Sequence, residues 1–412
     1  MGQRAAARAA PAAAPARGRK LVAATVGTLV ALLVLEGLAR LLEPRADMVA
    51  VPGADGGQVP AWLALDPALG ATLGHLDRVP AHIDKAAVLR FWDFYQRDEE
   101  LHYRLKPDLD AWTVNTLSPP QVVEKMRWRL TSNADGFRGR PLPGAPLPDG
   151  ESLVVCLGDS STYGWGVGED EAYPALLERY LREAGRSGWQ VVNLGHPGFT
   201  SWQGRILAQR LAELKPAIVT ISFATNDESD AGLTDAELYR RDHSLPARVA
   251  GAAGHLALYR VMQRAMLKFW NPASGSADAK LTPRVPLRDY AANLGEIAAA
   301  VRRAKAQPMF VQISASPGHN NAAMSASRAA AAPYIPVLQL FEAAKPDVRS
   351  GSLYAAQVAA LRERLGPFLD EHPEYLLQVD STHPNAIGHD IIARRLASLI
   401  LGRRLEPAAV GE

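Results

Sequence analysis

The sequence predicts an α/β protein: a three-layer α/β/α sandwich around a five-stranded parallel sheet, preceded by an N-terminal transmembrane helix and a small lead-in segment. Three observations predict it. From residue 151 onward, apolar runs of strand length alternate with amphipathic helical stretches. Those runs are apolar throughout, as in strands covered on both faces, where an alternating pattern would mean one wet face. The 412 residues, 48% hydrophobic and 21% charged, are enough for a full α/β core with appendages.

The chain starts with a tail, residues 1–20, that carries Arg4, Arg8, Arg17, Arg19 and Lys20 and no acidic residue in an Ala/Pro background. The apolar stretch "LVAATVGTLVALLVLEGLARLL" follows and is assigned as an anchor over 21–43. Its length suits roughly 30 Å of hydrocarbon at about 1.5 Å per residue. Glu36 and Arg40 interrupt its final third, but at i and i+4 they can partly neutralise each other near the far interface. No small-x-small cleavage site stands close behind the core, which favours an uncleaved anchor over a cleaved signal peptide. Five positive charges ahead of the span predict a cytoplasmic N-terminus and an exported remainder.

Residues 44–150 are rich in Pro, Gly and Asp with short aromatic patches, and read as a linker and a partly β lead-in that packs on the main domain. The five expected strands are "SLVVCLG", "WQVVNLG", "AIVTISFA", "PMFVQIS" and, near the end, "YLLQVD". A helical insert over about 228–285 and an Ala-rich stretch over 315–366 both follow strand carboxyl ends, where such sheets place ligand sites. Residues 404–412 read as a disordered tail.

Composition excludes several classes. The net charge of +2 with dispersed basic residues lacks the footprint of a nucleic-acid binder. A single cysteine, Cys156, inside the first strand run rules out a disulfide within the chain and a cysteine-based metal site.

The strand ends carry the chemistry. Gly158, Asp159 and Ser160 follow the first strand; Asn193, Gly195 and His196 the second; Thr225, Asn226 and Asp227 the third; and "DSTHPN", with Asp380 and His383, the last. Together they hold what acyl transfer needs: a hydroxyl, an imidazole to take its proton, a carboxylate to orient the imidazole, and donors for an oxyanion. At i and i+3 in a tight turn, Asp380 can hold the Nδ1 proton of His383 and leave Nε2 toward a serine. His196, His319, His372 and His389 have no such aspartate and read as surface or packing residues.

"GDSST" (158–162), the glycine of "NLGHPG" (193–198), "ATND" (224–227) and "DSTHPN" (380–385) together resemble, in order and position, the GDSL or SGNH hydrolase superfamily. The resemblance covers about 151–402, and "NADGFRG" (133–139) is similar to a stretch that precedes the nucleophile in bacterial membrane-anchored members. It implies a flavodoxin-like sheet and a hydrolase domain over 151–403. It implies Ser160 as nucleophile, His383 as general base then acid, and Asp380 as its orienter. The oxyanion hole would comprise the N–H groups of Ser160 and Gly195 and the amide of Asn226. Asp159 would hold the nucleophile turn, and no metal or other cofactor is implied. Two departures stand out: Ser161 follows the nucleophile where the family name has Leu, and Ala224-Thr225 replaces a frequent Gly beside Asn226.

Of the three successive hydroxyls, Ser161 and Thr162 read as helix-start residues capping free N–H groups. Tyr163 and Trp165 are candidates to line the cleft, and Arg284, similar to an arginine recurring at the insert's exit in related sequences, is a candidate for an anionic substrate group. The expected function is therefore a serine esterase or acylhydrolase working through an acyl-enzyme, held in a bacterial inner membrane and facing the periplasm. Its partners would be a small-molecule or glycan ester and the membrane. The alternative is an O-acetyltransferase or deacetylase acting on exported polysaccharide; the alternative from another class is a non-catalytic envelope scaffold or carbohydrate-binding protein.

Overall fold

Runs of Val, Ile and Leu that are buried on both faces form the central sheet of the computed structural model, which describes residues 16–42, 48–50, 58–64, 85–115, 117–269, 281–380 and 382–405. Its strands are β1 (Ser152–Gly158), β2 (Trp189–Gly195), β3 (Ile218–Ser222), β4 (Gln307–Gln312) and β5 (Tyr334–Pro336), in the order β5-β4-β3-β1-β2 and all parallel. Register places Gly158 opposite both Gly195 and Ser222, so the carboxyl ends of three strands share one rim. Helices Tyr173–Glu183 and Ala386–Leu401 pack together in one covering layer, and Ser201–Arg210 and Leu287–Arg303 in the other.

The α/β/α class and the strand count agree with the sequence pattern, but the fifth strand is a different segment. "YLLQVD" does not extend: Pro373–Leu376 form a 3-10 turn whose N–H groups are satisfied locally, Leu377 and Gln378 both donating to Glu374 O. Tyr375, Leu376, Leu377 and Val379 are buried because they plug the core, which explains why the run looks like a strand in composition. The actual edge strand, Tyr334–Pro336, is only three residues long and bracketed by prolines, which suit an edge.

The chain divides into two compact units. One contains helix Ala16–Leu42 together with helices Leu245–Ala253 and Ala257–Phe269. Within it Lys20–Leu41, 22 residues, is long and apolar enough to cross a membrane; a signal sequence has the same character. The Glu36 carboxylate meets Arg40 Nε at 2.9 Å and accepts from the N–H groups of Ala257 and Leu258 at 3.0 Å each, so the two polar interruptions of the stretch are mutually satisfied. Residues 1–15 of the basic tail and 406–412 of the C-terminal tail lie outside the described residues.

The second unit holds the sheet and the lead-in. Hairpin Tyr95–Asp98 with His102–Leu105 and hairpin Asp110–Val114 with Arg127–Thr131 bury Leu105, Trp128 and Leu130 in the same core as β1. The base of the insert is closed by the antiparallel pair Asp230–Ala231 with Thr282–Pro283.

Candidate active site

Strand β1 ends at Gly158, and Asp159 turns the chain into the short helix Ser160–Tyr163 by accepting from Ser161 N at 2.9 Å. The N-cap is therefore the Asp159 carboxylate. The hydroxyls of Ser161 and Thr162 do not cap, contrary to the sequence reading; Thr162 Oγ1 accepts from Tyr173 Oη at 3.1 Å inside the core. Ser160, the first helical residue, presents its hydroxyl at the rim.

Ser160 Oγ lies 2.7 Å from His383 Nε2, and His383 Nδ1 lies 2.8 Å from Asp380 Oδ2. The other Asp380 oxygen accepts from the backbone N–H groups of Thr382 and His383, each at 2.7 Å, which tightens the turn and aims the carboxylate at the imidazole. Asn385, not Asp380, caps the following helix, accepting from Ile387 N and Gly388 N at 2.9 and 3.0 Å.

Burial works to raise the Asp380 pKa, but the charge and hydrogen bond of His383, with donors from Asn115 and the backbone, hold it down at about 2. An ionised carboxylate only accepts, so Nδ1 of His383 carries the proton and the Nε2 of the neutral ring accepts from Ser160. Burial alone would lower the pKa of His383; the Asp380 charge and hydrogen bond, with Asp159 beyond, outweigh it and raise it above its ordinary value. Asp159 is itself pushed up to about 6 by burial, against the Ser161 N–H and His383.

The lead-in reaches this constellation through Asn115. Its amide nitrogen donates to Asp380 Oδ2 at 3.0 Å and to Val379 O at 3.3 Å, and its oxygen accepts from Trp165 Nε1 at 3.0 Å. Ser118 Oγ adds a bond to Val379 O at 3.1 Å. The Trp165 indole stacks on His383 with centroids 5.6 Å apart. Arg138, from "NADGFRG", is fully buried and donates to the carbonyls of Gly164, Val167 and Arg129 at 2.6, 2.8 and 2.9 Å. It thereby holds the chain that leaves the nucleophile helix.

Other expectations are corrected. The Gly195 N–H is occupied, donating to Asn193 Oδ1 at 2.8 Å, and a Cβ there would meet Tyr163 N at 2.2 Å: this glycine serves strand-to-helix packing beneath the site. The glycine that lines the cavity beside Ser160, His383 and Asn226 is Gly198, at φ +84°, where a Cβ would meet Tyr103 Oη at 2.8 Å. Among the described residues neither Ser160 N–H nor Gly198 N–H has a hydrogen-bond acceptor. The amide of Asn226 gives one N–H to Phe199 O at 2.9 Å, leaving the second.

Tyr163 is fully buried with its hydroxyl on Thr131 O at 2.7 Å and faces away from the cavity; it packs under the nucleophile turn. Trp165 does line the cavity. Arg284 also lines it, but its guanidinium is bidentate to Asp235 at 3.0 Å for both bonds and gives a third to Gly198 O at 2.7 Å, so its charge is neutralised in the wall. His196, His319 and His389 are buried and His372 packs on Phe368, the packing or surface roles the sequence indicated.

Asn115 carries no local signal in the sequence, since its partner Asp380 lies 265 positions away. Gly198 stands in "NLGHPG" three residues past the glycine at the strand end, and Arg138 in "NADGFRG", but nothing local in either stretch signals which group reaches the site.

The model of the GDSL-like lipase/acylhydrolase family matches residues 156–391, more than half of the chain. No curated protein matches it. Among solved structures, it is similar to the psychrotrophic esterase EstA from Pseudoalteromonas sp. (15% identity, 61% of this chain and 98% of that one, TM-score 0.36). It is also similar to a lipase/acylhydrolase from Enterococcus faecalis (16%, 63% and 100%, TM-score 0.33) and to the SGNH-hydrolase family esterase AlinE4 (16%, 61% and 96%, TM-score 0.31). The chain belongs to the GDSL-like lipase/acylhydrolase family and is a hydrolase acting on ester bonds.

Proposed function

We propose that the chain is a serine esterase working through an acyl-enzyme, with Ser160, His383 and Asp380 as its triad. The supporting observation is the unbroken line Ser160 Oγ, His383 Nε2, His383 Nδ1, Asp380 Oδ2, with spacings of 2.7 and 2.8 Å. Ser160 Oγ attacks the ester carbonyl as His383 takes its proton, and Asp380 stabilises the imidazolium. The developing oxyanion is met by the N–H groups of Ser160 and Gly198 and the free N–H of Asn226, with Gly198 in the place the sequence reading gave to Gly195. His383 then protonates the departing alcohol, and water activated by the same imidazole releases the acid.

The apolar helix Lys20–Leu41 serves as a single-pass anchor, and the basic residues ahead of it keep the N-terminus cytoplasmic and the hydrolase unit on the exported side. A small alkyl fluorophosphonate tests the chemistry directly. Mass mapping is expected to find it on Ser160, and Ser160→Ala to abolish hydrolysis of a short aryl ester with the fold intact. A label on Ser161, or full activity in Ser160→Ala, overturns the proposal.

A further inference from the structure

We infer that the ester cleaved here carries an apolar chain of about six to ten carbons, held in a cavity whose wall is supplied largely by the lead-in segment. This rests on Ser160 being the nucleophile. The cavity, about 350 Å³, is polar at the end where it meets Ser160, Thr225, Asn226, Thr382 and His383, and its wall also carries the Asp235–Arg284 ion pair. Away from that end its lining includes Phe91, Trp92, Tyr95 and Tyr103 from the lead-in and Leu233 and Leu238 from the insert. The four lead-in residues lie outside the family-matched stretch 156–391.

The two tyrosines offer rings only, because their hydroxyls are already given to Pro197 O at 3.3 Å and Gly198 O at 2.6 Å. Trp92, Tyr95 and Tyr103 brace one another with centroids 5.2 to 5.5 Å apart, so the wall is a preformed surface. The charged members, Asp235 and Arg284, cancel each other. A sugar ring placed against this wall would lose water from hydroxyls that the aromatic faces and aliphatic side chains cannot partner. An acetyl group would leave most of the volume empty.

The volume falls at the small end of ligand sites, about 300 to 1,000 Å³. At roughly 30 Å³ per water-sized group it holds about ten carbon-sized units. An apolar chain is thus the chemistry the cavity complements, whether it enters on the acyl or the alcohol side of the ester.

Two substrate series on the full-length protein in detergent separate those sides: p-nitrophenyl esters with acyl chains from two to twelve carbons, and acetate esters of linear alcohols over the same range. In one series kcat/KM is expected to rise roughly threefold to fourfold per methylene, as each buried CH₂ adds its transfer energy, and to fall beyond about ten carbons. Trp92→Ala is expected to move the optimum to longer chains and Leu238→Phe to shorter ones, each variant first checked for an unchanged circular dichroism spectrum. An optimum at acetyl in both series, or preferred cleavage of an acetylated xylo-oligosaccharide, with Ser160 still labelled by the fluorophosphonate, overturns the inference alone. Failure of both labelling and turnover overturns the nucleophile assignment and this inference with it.

Discussion

The side-chain amide of Asn115 donates to the Asp380 carboxylate at 3.0 Å, on the same oxygen that receives the His383 Nδ1 proton. Asn115 is fully buried and at the same time accepts from Trp165, which stacks on His383. One side chain from outside the family-matched stretch thus ties down the carboxylate and, through the indole, the face of the imidazole. The lead-in therefore contacts the candidate site as well as lining its cavity.

Removing that amide has two separable effects. Asn115→Ala leaves the Trp165 indole N–H unpaired and loosens Asp380, so kcat is expected to fall about tenfold to a hundredfold with KM little changed, a loss of roughly 1.4 to 2.8 kcal/mol of transition-state stabilisation. Asp380 also loses a donor that lowers its basicity, so it holds the imidazolium more strongly, and the acid limb of kcat/KM moves to higher pH. Steady-state kinetics across pH read both effects; an unmoved limb with unchanged kcat would reduce Asn115 to a packing residue.

In the proposed mechanism His383 must be neutral to accept the serine proton. Because the Asp380 charge lifts its pKa above the ordinary value despite burial, the acid limb of kcat/KM for the unmodified protein is expected above about pH 6.5, with activity increasing as pH rises through it. Asp380 at about 2 stays ionised throughout and adds no limb of its own. A limb well below 6.5 would contradict this electrostatic account.

Two other histidines make stability depend on acid. Burial holds His196 and His389 at about 3. His196 Nε2 accepts from Leu105 N at 2.8 Å, and His389 Nδ1 accepts from Tyr173 N at 3.2 Å, bonds that only a neutral ring can make. Their folded pKa values lie below the unfolded value near 6.5, so the unfolded state binds more protons. The stability they contribute is complete above about pH 6.5 and is lost as pH falls toward 3. Between pH 7 and 5 the thermal midpoint of His389→Gln is expected to respond less unfavourably to acid than that of the unmodified protein, because one such histidine is gone; identical pH slopes in the two proteins would refute the assignment.

Arg138 is a buried cation that meets carbonyls in place of a carboxylate. Lysine keeps the charge but not the planar fork that reaches Gly164, Val167 and Arg129 together. Arg138→Lys is expected to cost about 2 to 4 kcal/mol of stability, since several carbonyls lose their donors in the core. Denaturant titration measures it, and a change under about 0.5 kcal/mol would mean the fork is dispensable.

The sequence alone was sufficient for the α/β class, for four of the five sheet strands and for the meeting of Ser160, Asp380 and His383, because apolar runs and residues at strand ends leave a local trace. An i, i+3 pair is likewise readable along the chain. Tertiary structure decided what depends on distant contacts. It replaced the strand expected at "YLLQVD" with Tyr334–Pro336, since a buried apolar run of that length fits a core plug as well as a strand. It put Gly198 at the cavity and buried Gly195, whose N–H goes to Asn193, because the path of the backbone, rather than residue type, decides which glycine reaches the rim. It turned Tyr163 away and neutralised Arg284 with Asp235, a partner 49 positions off. And it brought Asn115 to Asp380, a bond that no local pattern encodes because it forms only when the lead-in hairpin packs against the rim of the finished sheet.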